Sequence, residues 1–237
     1  MPLPLEGIRV LDWTIWQQGP VSTMMLGDLG AEVIKIEERV GGDPGRGIMS
    51  IGGTATGGAG QRNYYFEANN RHKKSITLNL KTPEAKEVVY KLVAKSDVFV
   101  QNFRKGVAGK LGLGYQTLPQ YNPKLLYASA TGYGPDGPDS GEPSFDYMGL
   151  ARSGIMNAIG EPDMDPLSIT GGIADQMGAI MLAYGIITAL YTRERFGIGQ
   201  EVDSSHLGSM MALQVLILSC RLSFVMFFRC LYCHNAP

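Results

Sequence analysis

Cysteine is missing from the first 219 residues of this chain; the three present, Cys220, Cys230 and Cys233, all fall within the last eighteen of 237. An odd, terminal cluster gives no disulfide framework. Cys230-x-x-Cys233 followed by His234 has the local spacing of zinc ligands or of haem attachment. A structural zinc needs four ligands and attached haem implies export, so no metal is expected. Excess charge of either sign is also missing. With 21 Lys and Arg against 22 Asp and Glu the formal net charge is -1, and bulk electrostatics favour neither nucleic acid nor a membrane surface as partner. Any anion site must therefore be local. The N-terminus, Met1 to Glu6, has neither the basic segment nor the apolar run that marks secretion, and the expected location is the cytoplasm. A long apolar run over 215–228 is interrupted by Arg221 and falls short of the roughly 20 residues a membrane span needs.

What is present is a recurring alternation of strand and helix. Ile8 to Trp13 and Gly30 to Glu37 read as buried strands, joined by an amphipathic segment over Pro20 to Leu29. The second strand ends in an acid, Glu37, as dinucleotide-binding units often do, which keeps an NAD-dependent oxidoreductase as an alternative. The first loop, Thr14 to Pro20, carries no G-x-G-x-x-G, so the pattern is Rossmann-like without the pyrophosphate fingerprint. A strand is expected over Ser75 to Leu80, a helix opening at Thr82-Pro83, and further strands over Asp97 to Phe103 and Leu125 to Ala130. The fold class expected is α/β, a doubly wound and mostly parallel sheet. Gly132-Tyr133-Gly134-Pro135-Asp136-Gly137 matches a phosphate-binding spacing, but Pro138 follows at once and the segment reads as consecutive turns.

Three stretches carry candidate chemistry. Leu167 to Ala179 runs through a Gly pair to a lone carboxylate, Asp175, and then into an apolar helix expected over Gln176 to Arg193. Asp175 is either that helix's N-cap or a partly desolvated nucleophile beside glycines that let a ligand approach. Asn69 to Lys74 is a basic run, read either as a solvated turn or as a cluster for phosphates. Glu38 to Gln61, holding Arg39, Asp43 and Arg46, is a loop long enough to expect a function. His206 reads as a helix-start residue with no recognisable partner.

Leu5 to Asp12, Gly27 to Glu37, Asn70 to Ile76, Val100 to Arg104, Leu111 to Tyr115, Ile173 to Asp175 and Thr192 to Gln200, in that order, make the chain resemble the class III CoA-transferases of the CaiB/BaiF type, which include formyl-CoA and crotonobetainyl-CoA:carnitine CoA-transferases. The resemblance runs from about Leu5 to about Ala212. It implies that Asp175 attacks an acyl-CoA thioester to give a mixed anhydride, with transfer continuing through an aspartyl-CoA thioester. It also implies coenzyme A near Gln17, Gln18, Arg39, Leu78, Asn79, Leu80, Lys81, Asn102, Phe103, Arg104 and Lys110. Gln17 would face the reacting carbonyl, and Asp146 matches an acidic position near the nucleophile. The implied partners are an acyl-CoA donor, a carboxylic acid acceptor and, in the full-length family, a second copy in an interlocked homodimer. Acyl-CoA racemases resemble the chain too, but the histidine that precedes their matching aspartate is Phe145 here, which favours transfer over proton exchange. Residues 1–214 are expected to form the N-terminal part of the large domain and 215–237 an aberrant or truncated tail, with the family's small domain largely missing. A non-catalytic CoA-binding fragment is therefore a second expectation.

Overall fold

The computed structural model describes residues 1–57, 62–161 and 163–215. The Cys-containing segment, and with it the tail over 216–237, lies outside the described residues. Along the chain run β1 (Arg9–Trp13), α1 (Gln18–Asp28), β2 (Glu32–Glu37), a short hairpin of β3 (Ser50–Ile51) and β4 (Thr54–Ala55), α2 (Tyr64–Asn70), β5 (Lys73–Thr77), α3 (Pro83–Val93), β6 (Val98–Gln101), α4 (Val107–Lys110), β7 (Leu126–Thr131), α5 (Asp146–Ser153), α6 (Ile155–Ala158), α7 (Ile173–Phe196), β8 (Glu201–Ser205) and α8 (His206–Leu213).

Six strands form one parallel sheet in the order β5-β2-β1-β6-β7-β8. Its inner strands β1, β6 and β7 are buried because both faces are covered, whereas the edge strands β5 and β8 are polar and partly exposed. Successive residues alternate between the two sides. Val10, Val33, Val98, Val100, Leu126 and Ala128 pack with Leu26 of α1 and with Leu182, Ile186 and Ala189 of α7. Leu11, Trp13, Ile36, Phe99 and Tyr127 pack instead with Val89 and Val93 of α3 and Ala108 of α4. By length and composition α7 is apolar enough to cross a membrane; Leu182, Ile186, Ala189 and Leu190 serve this sheet core, while Ile180, Tyr184, Ile187 and Tyr191 are exposed.

The sheet order reverses between β1 and β6, where ligands bind in open α/β sheets, just beyond the strands' C-terminal ends. A side chain bolts the two strand ends together there. Asn102 accepts the Ile15 N–H at 2.9 Å and donates to the Ile15 carbonyl at 2.7 Å, so its amide imitates a strand neighbour.

The expected elements form with small displacements. The strand expected over Ser75 to Leu80 occupies Lys73–Thr77 instead, paired with β2 from Val33–Lys73 to Glu37–Thr77, and the Lys73 side chain ties its start to neighbouring elements. Its ammonium is buried and donates to Asp12, Asn70 and the Pro20 carbonyl, at 2.8, 2.9 and 2.8 Å. The long loop holds a 3-10 turn over Pro44–Gly47 and the β3–β4 hairpin, and α2 follows it, capped by Asn63 on the Phe66 N–H at 2.9 Å. Helix α7 begins at Ile173 and not Gln176, because Gly172, at φ +75, turns the chain into it.

Candidate active site

Asp175 is the third residue of α7 and not its cap. The cap comes from α5: Asp146 Oδ1 accepts the Ala174 and Asp175 N–H groups at 2.6 and 3.0 Å. The Asp175 carboxylate is thereby free of its own helix end and sits where the helix dipole favours negative charge. Burial pushes the Asp146 carboxyl up, the two backbone N–H groups draw it down, and the nearby Asp175 charge pushes it up again.

Gly172 is required by geometry as well as by its positive φ. A Cβ there would stand 2.5 Å from the Gln17 side-chain amide, which donates to the Gly171 carbonyl at 3.2 Å. Gly149 plays a similar part between helices: a Cβ on it would meet His206 at 2.8 Å and Ala174 at 2.9 Å, so its absence lets α5 hold α7 and α8 together.

His206 has a partner that sequence spacing did not reveal. It is the first residue of α8, as expected, but its Nε2 lies 2.9 Å from Asp175 Oδ1, and its Nδ1 lies 3.2 Å from Ser144 Oγ. The ring is 5% exposed. Tyr65 of α2 is a second neighbour the sequence did not single out; burial raises its phenol well above the ordinary value, with Asp175 and Asp43 adding to the effect.

Two cavities meet at the sheet reversal. The first, of about 750 Å³, is lined by Trp13, Ile36, Arg39, Leu78, Asn79, Leu80, Lys81, Phe103 and the 40–44 turn. The second, of about 350 Å³, holds Trp16, Gln18, Asn102, Arg104, Phe145, Asp175 and His206. Ile15, Phe103 and Val107 line both and form the wall between them. Of the expected CoA residues, the structure brings Arg39 and Leu78 to Lys81 to the first cavity, Gln18, Asn102 and Arg104 to the second, and Phe103 to both. Gln17 and Lys110 line neither. Gln17 packs behind Gly172, and Lys110 ends α4 on the surface.

The polar groups around the first cavity divide sharply. Lys35, 1% exposed, donates to the Thr14 carbonyl at 2.8 Å and pairs with Asp43 at 2.9 Å, while Asp43 also accepts the Trp16 and Gly45 N–H groups. This clamp holds Trp16 at φ +67, a strained value for a bulky side chain, with its ring edge-on to Phe145. Glu37 uses both oxygens internally, on Arg46, Ser75 Oγ and the Asp43 N–H. Burial opposes its charge, but those donors win and draw its pKa to about 2. The basic run is likewise engaged: Arg71 pairs with Asp28, Lys74 with Glu32 and the buried Lys73 with Asp12. Arg39, Lys81, Arg104 and Lys110 are exposed and make no ion pair among the described residues. Gln18 Nε2 is buried with no hydrogen-bond partner among the described residues.

The model of CoA-transferase family III matches residues 5–221. The chain belongs to CoA-transferase family III. It is 40% identical over 216 residues to succinyl-CoA:mesaconate CoA-transferase of Haloarcula marismortui, covering 88% of this chain and 53% of that protein. It is also 40% identical over 218 residues to acetyl-CoA:oxalate CoA-transferase of Acetobacter aceti, covering 92% and 54%. The chain thus spans about half the length of the curated relatives it matches. Among solved structures, a CaiB/BaiF family protein from Brucella suis superposes with a TM-score of 0.85 at 35% identity, over 94% of this chain and 58% of that one. Rv3272 from Mycobacterium tuberculosis gives 0.84 at 37%, over 93% and 60%.

Within this CoA-transferase family III chain, the expected α/β doubly wound sheet is the observed one. The Glu37 carboxylate, the acid that had kept a dinucleotide enzyme as an alternative, is taken up by Arg46, Ser75 and the Asp43 N–H. Among the described residues, no group of three or more His, Cys, Asp or Glu could hold a metal ion.

Proposed function

We propose that this chain carries the acyl-CoA site and the nucleophile of a CoA-transferase that moves CoA from a thioester to a carboxylic acid through Asp175. The observation that carries the reading is a half-buried carboxylate at a helix N-terminus, opening on a cavity that shares a wall with a larger one edged by uncommitted cations. The nucleotide of CoA would lie in the larger cavity against Trp13, Ile36 and Leu78. Arg39, Lys81 and Arg104 would donate to its phosphates, with Lys110 beyond the cavity rim. The orphaned Gln18 amide is a donor that fits a polar ligand atom, because a buried donor without a partner is costly.

A carboxylate oxygen of Asp175 attacks the thioester carbonyl and expels the CoA thiolate, leaving a mixed anhydride. The thiolate then attacks the aspartyl carbonyl carbon and expels the donor acid, giving aspartyl-CoA. An acceptor carboxylate attacks the same carbon, releases the thiolate and forms a second anhydride. Thiolate attack on the acceptor's acyl carbon releases the new acyl-CoA and restores Asp175. Asp146 keeps the helix end fixed throughout, and the Gln17 amide lies behind Gly172 within reach of the same segment. The homodimer belongs to this proposal as a property of the whole protein.

Calorimetric titration with CoA and incubation with succinyl-CoA test the reading, using mesaconate, oxalate and glutarate as acceptors in view of the relatives' names. CoA binding that weakens in Arg104→Ala, and a CoA adduct that vanishes in Asp175→Ala, are the expected results. A folded chain that binds CoA but forms no adduct would favour a non-catalytic binding fragment. An acyl-CoA racemase is a further reading, favoured by the His206 ring beside Asp175. Deuterium entry at the acyl α-carbon in heavy water would select it.

A further inference from the structure

We infer that His206 is the oxyanion donor for the aspartyl carbonyl of Asp175, acting in the step that makes aspartyl-CoA and in its reversal. The inference rests on the transferase reading above and adds to it a residue with a step-specific role.

A carboxylate only accepts hydrogen bonds, so the 2.9 Å contact with Asp175 Oδ1 requires the proton on His206 Nε2. Ser144 Oγ, 3.2 Å from Nδ1, anchors the far side of the ring. The close approach of α5 at Gly149 buries the ring, so the donor is already oriented before any charge develops. Oδ2 differs: no protein group hydrogen-bonds it among the described residues, and it is not among the buried atoms sealed without a partner. One oxygen is therefore held and the other is available to attack.

That asymmetry has a chemical consequence. When Oδ2 attacks the thioester, it becomes the bridging oxygen of the anhydride and Oδ1 becomes the aspartyl carbonyl oxygen. The thiolate then adds to the aspartyl carbonyl carbon; its electron pair forms the C–S bond, and the carbonyl π pair moves onto Oδ1. Negative charge thus develops on the atom that His206 Nε2–H faces. Collapse of this intermediate restores the carbonyl and breaks the bond to Oδ2, which leaves within the donor carboxylate. No proton, oxidant or further reactant enters. The first step puts its oxyanion on the thioester oxygen, away from Oδ1, so His206 serves the second step selectively.

Rapid mixing of the full chain with succinyl-CoA alone, acid quench and intact-mass measurement distinguish an acyl adduct, the anhydride, from a CoA adduct, the aspartyl thioester. In His206→Met the CoA adduct is expected to form about a hundredfold more slowly, the scale of losing one oxyanion donor. The acyl adduct should appear no more slowly than in the parent and should accumulate. His206→Gln, which retains an N–H donor at similar reach, should recover at least about tenfold of the loss by the same logic, and it carries the test if the Met variant does not fold. Equal slowing of both adducts, an unchanged CoA adduct, or a Gln variant as slow as the Met variant would overturn the inference and leave the transferase reading standing. Deuterium entry at the α-carbon that is lost with His206 would reassign the ring as a base and overturn it too. Absence of any adduct in the unsubstituted chain would overturn the transferase reading, and this inference with it.

Discussion

Replacing Asp146 should separate two contributions of one carboxylate. Its Oδ1 accepts two backbone N–H groups at the start of α7. Asp146→Ala leaves both donors without a partner at a buried helix end; at about 1 to 1.5 kcal/mol each, the loss should be about 2 to 3 kcal/mol. Asp146→Asn keeps an oxygen in place and removes the charge, and should cost less than about 1 kcal/mol at neutral pH. The pH dependence adds a second handle. Burial is the largest influence on this carboxyl and leaves it above the ordinary aspartate value of 3.8. The folded state then holds the Asp146 proton more tightly than the unfolded chain does. This group's contribution is full below 3.8 and is lost as pH rises through the raised folded value. Asn should abolish that descending limb while preserving the cap. Urea unfolding followed by circular dichroism, from about pH 3 to about pH 7, measures both effects, with an unchanged slope confirming that stability alone has moved. An Ala variant within about 0.5 kcal/mol of the parent, or an Asn variant as damaged as Ala, would refute the capping argument.

Glu37 should act in the opposite sense: its folded pKa of about 2 lies below the ordinary 4.5, so its stabilisation is present above 4.5 and lost as pH falls towards 2. Acid unfolding of Glu37→Gln should therefore be flatter over that interval, by up to about 3 kcal/mol from the size of the shift. Lys73→Met would leave the buried Asp12 charge without its ammonium and should cost about 3 to 5 kcal/mol in chemical unfolding, whereas a double replacement of Lys73 and Asp12 by apolar residues should restore much of it. Gly172→Ala combines a positive φ with a Cβ 2.5 Å from the Gln17 amide; it should lower Tm and reduce CoA adduct formation at Asp175 more than it lowers CoA affinity.

Local chemistry made the sheet readable: Val98 to Gln101 and Leu126 to Ala130 are buried on both faces, while α7 runs past its expected end at Arg193 to Phe196, where Gly197 closes it. Asp175 was legible as a candidate because of its setting of glycines and apolar helix. The residues that surround it leave no periodic trace: Asp146, 29 positions away, was picked out only through the family resemblance, and His206, 31 positions away, was given no partner. The counter-ions of the basic run, Asp12, Asp28 and Glu32, were hidden for the same reason, since they come from elements earlier in the chain. Helix α2 escaped notice because its aromatic start, Tyr64-Tyr65-Phe66, has no helical alternation, and only the Asn63 cap marks it.

The wall of Ile15, Phe103 and Val107 between the two cavities also bears on how a substrate's distant parts contribute to rate. Under the proposed chemistry, a CoA thioester anchored on both sides of it would be aligned on Asp175 by contacts many bonds from the sulfur. A short pantetheine thioester, which reaches only the smaller chamber, would lack that alignment. Under the proposed chemistry its disadvantage should fall on turnover as much as on affinity, because the grip on the nucleotide is expressed at the reacting carbon.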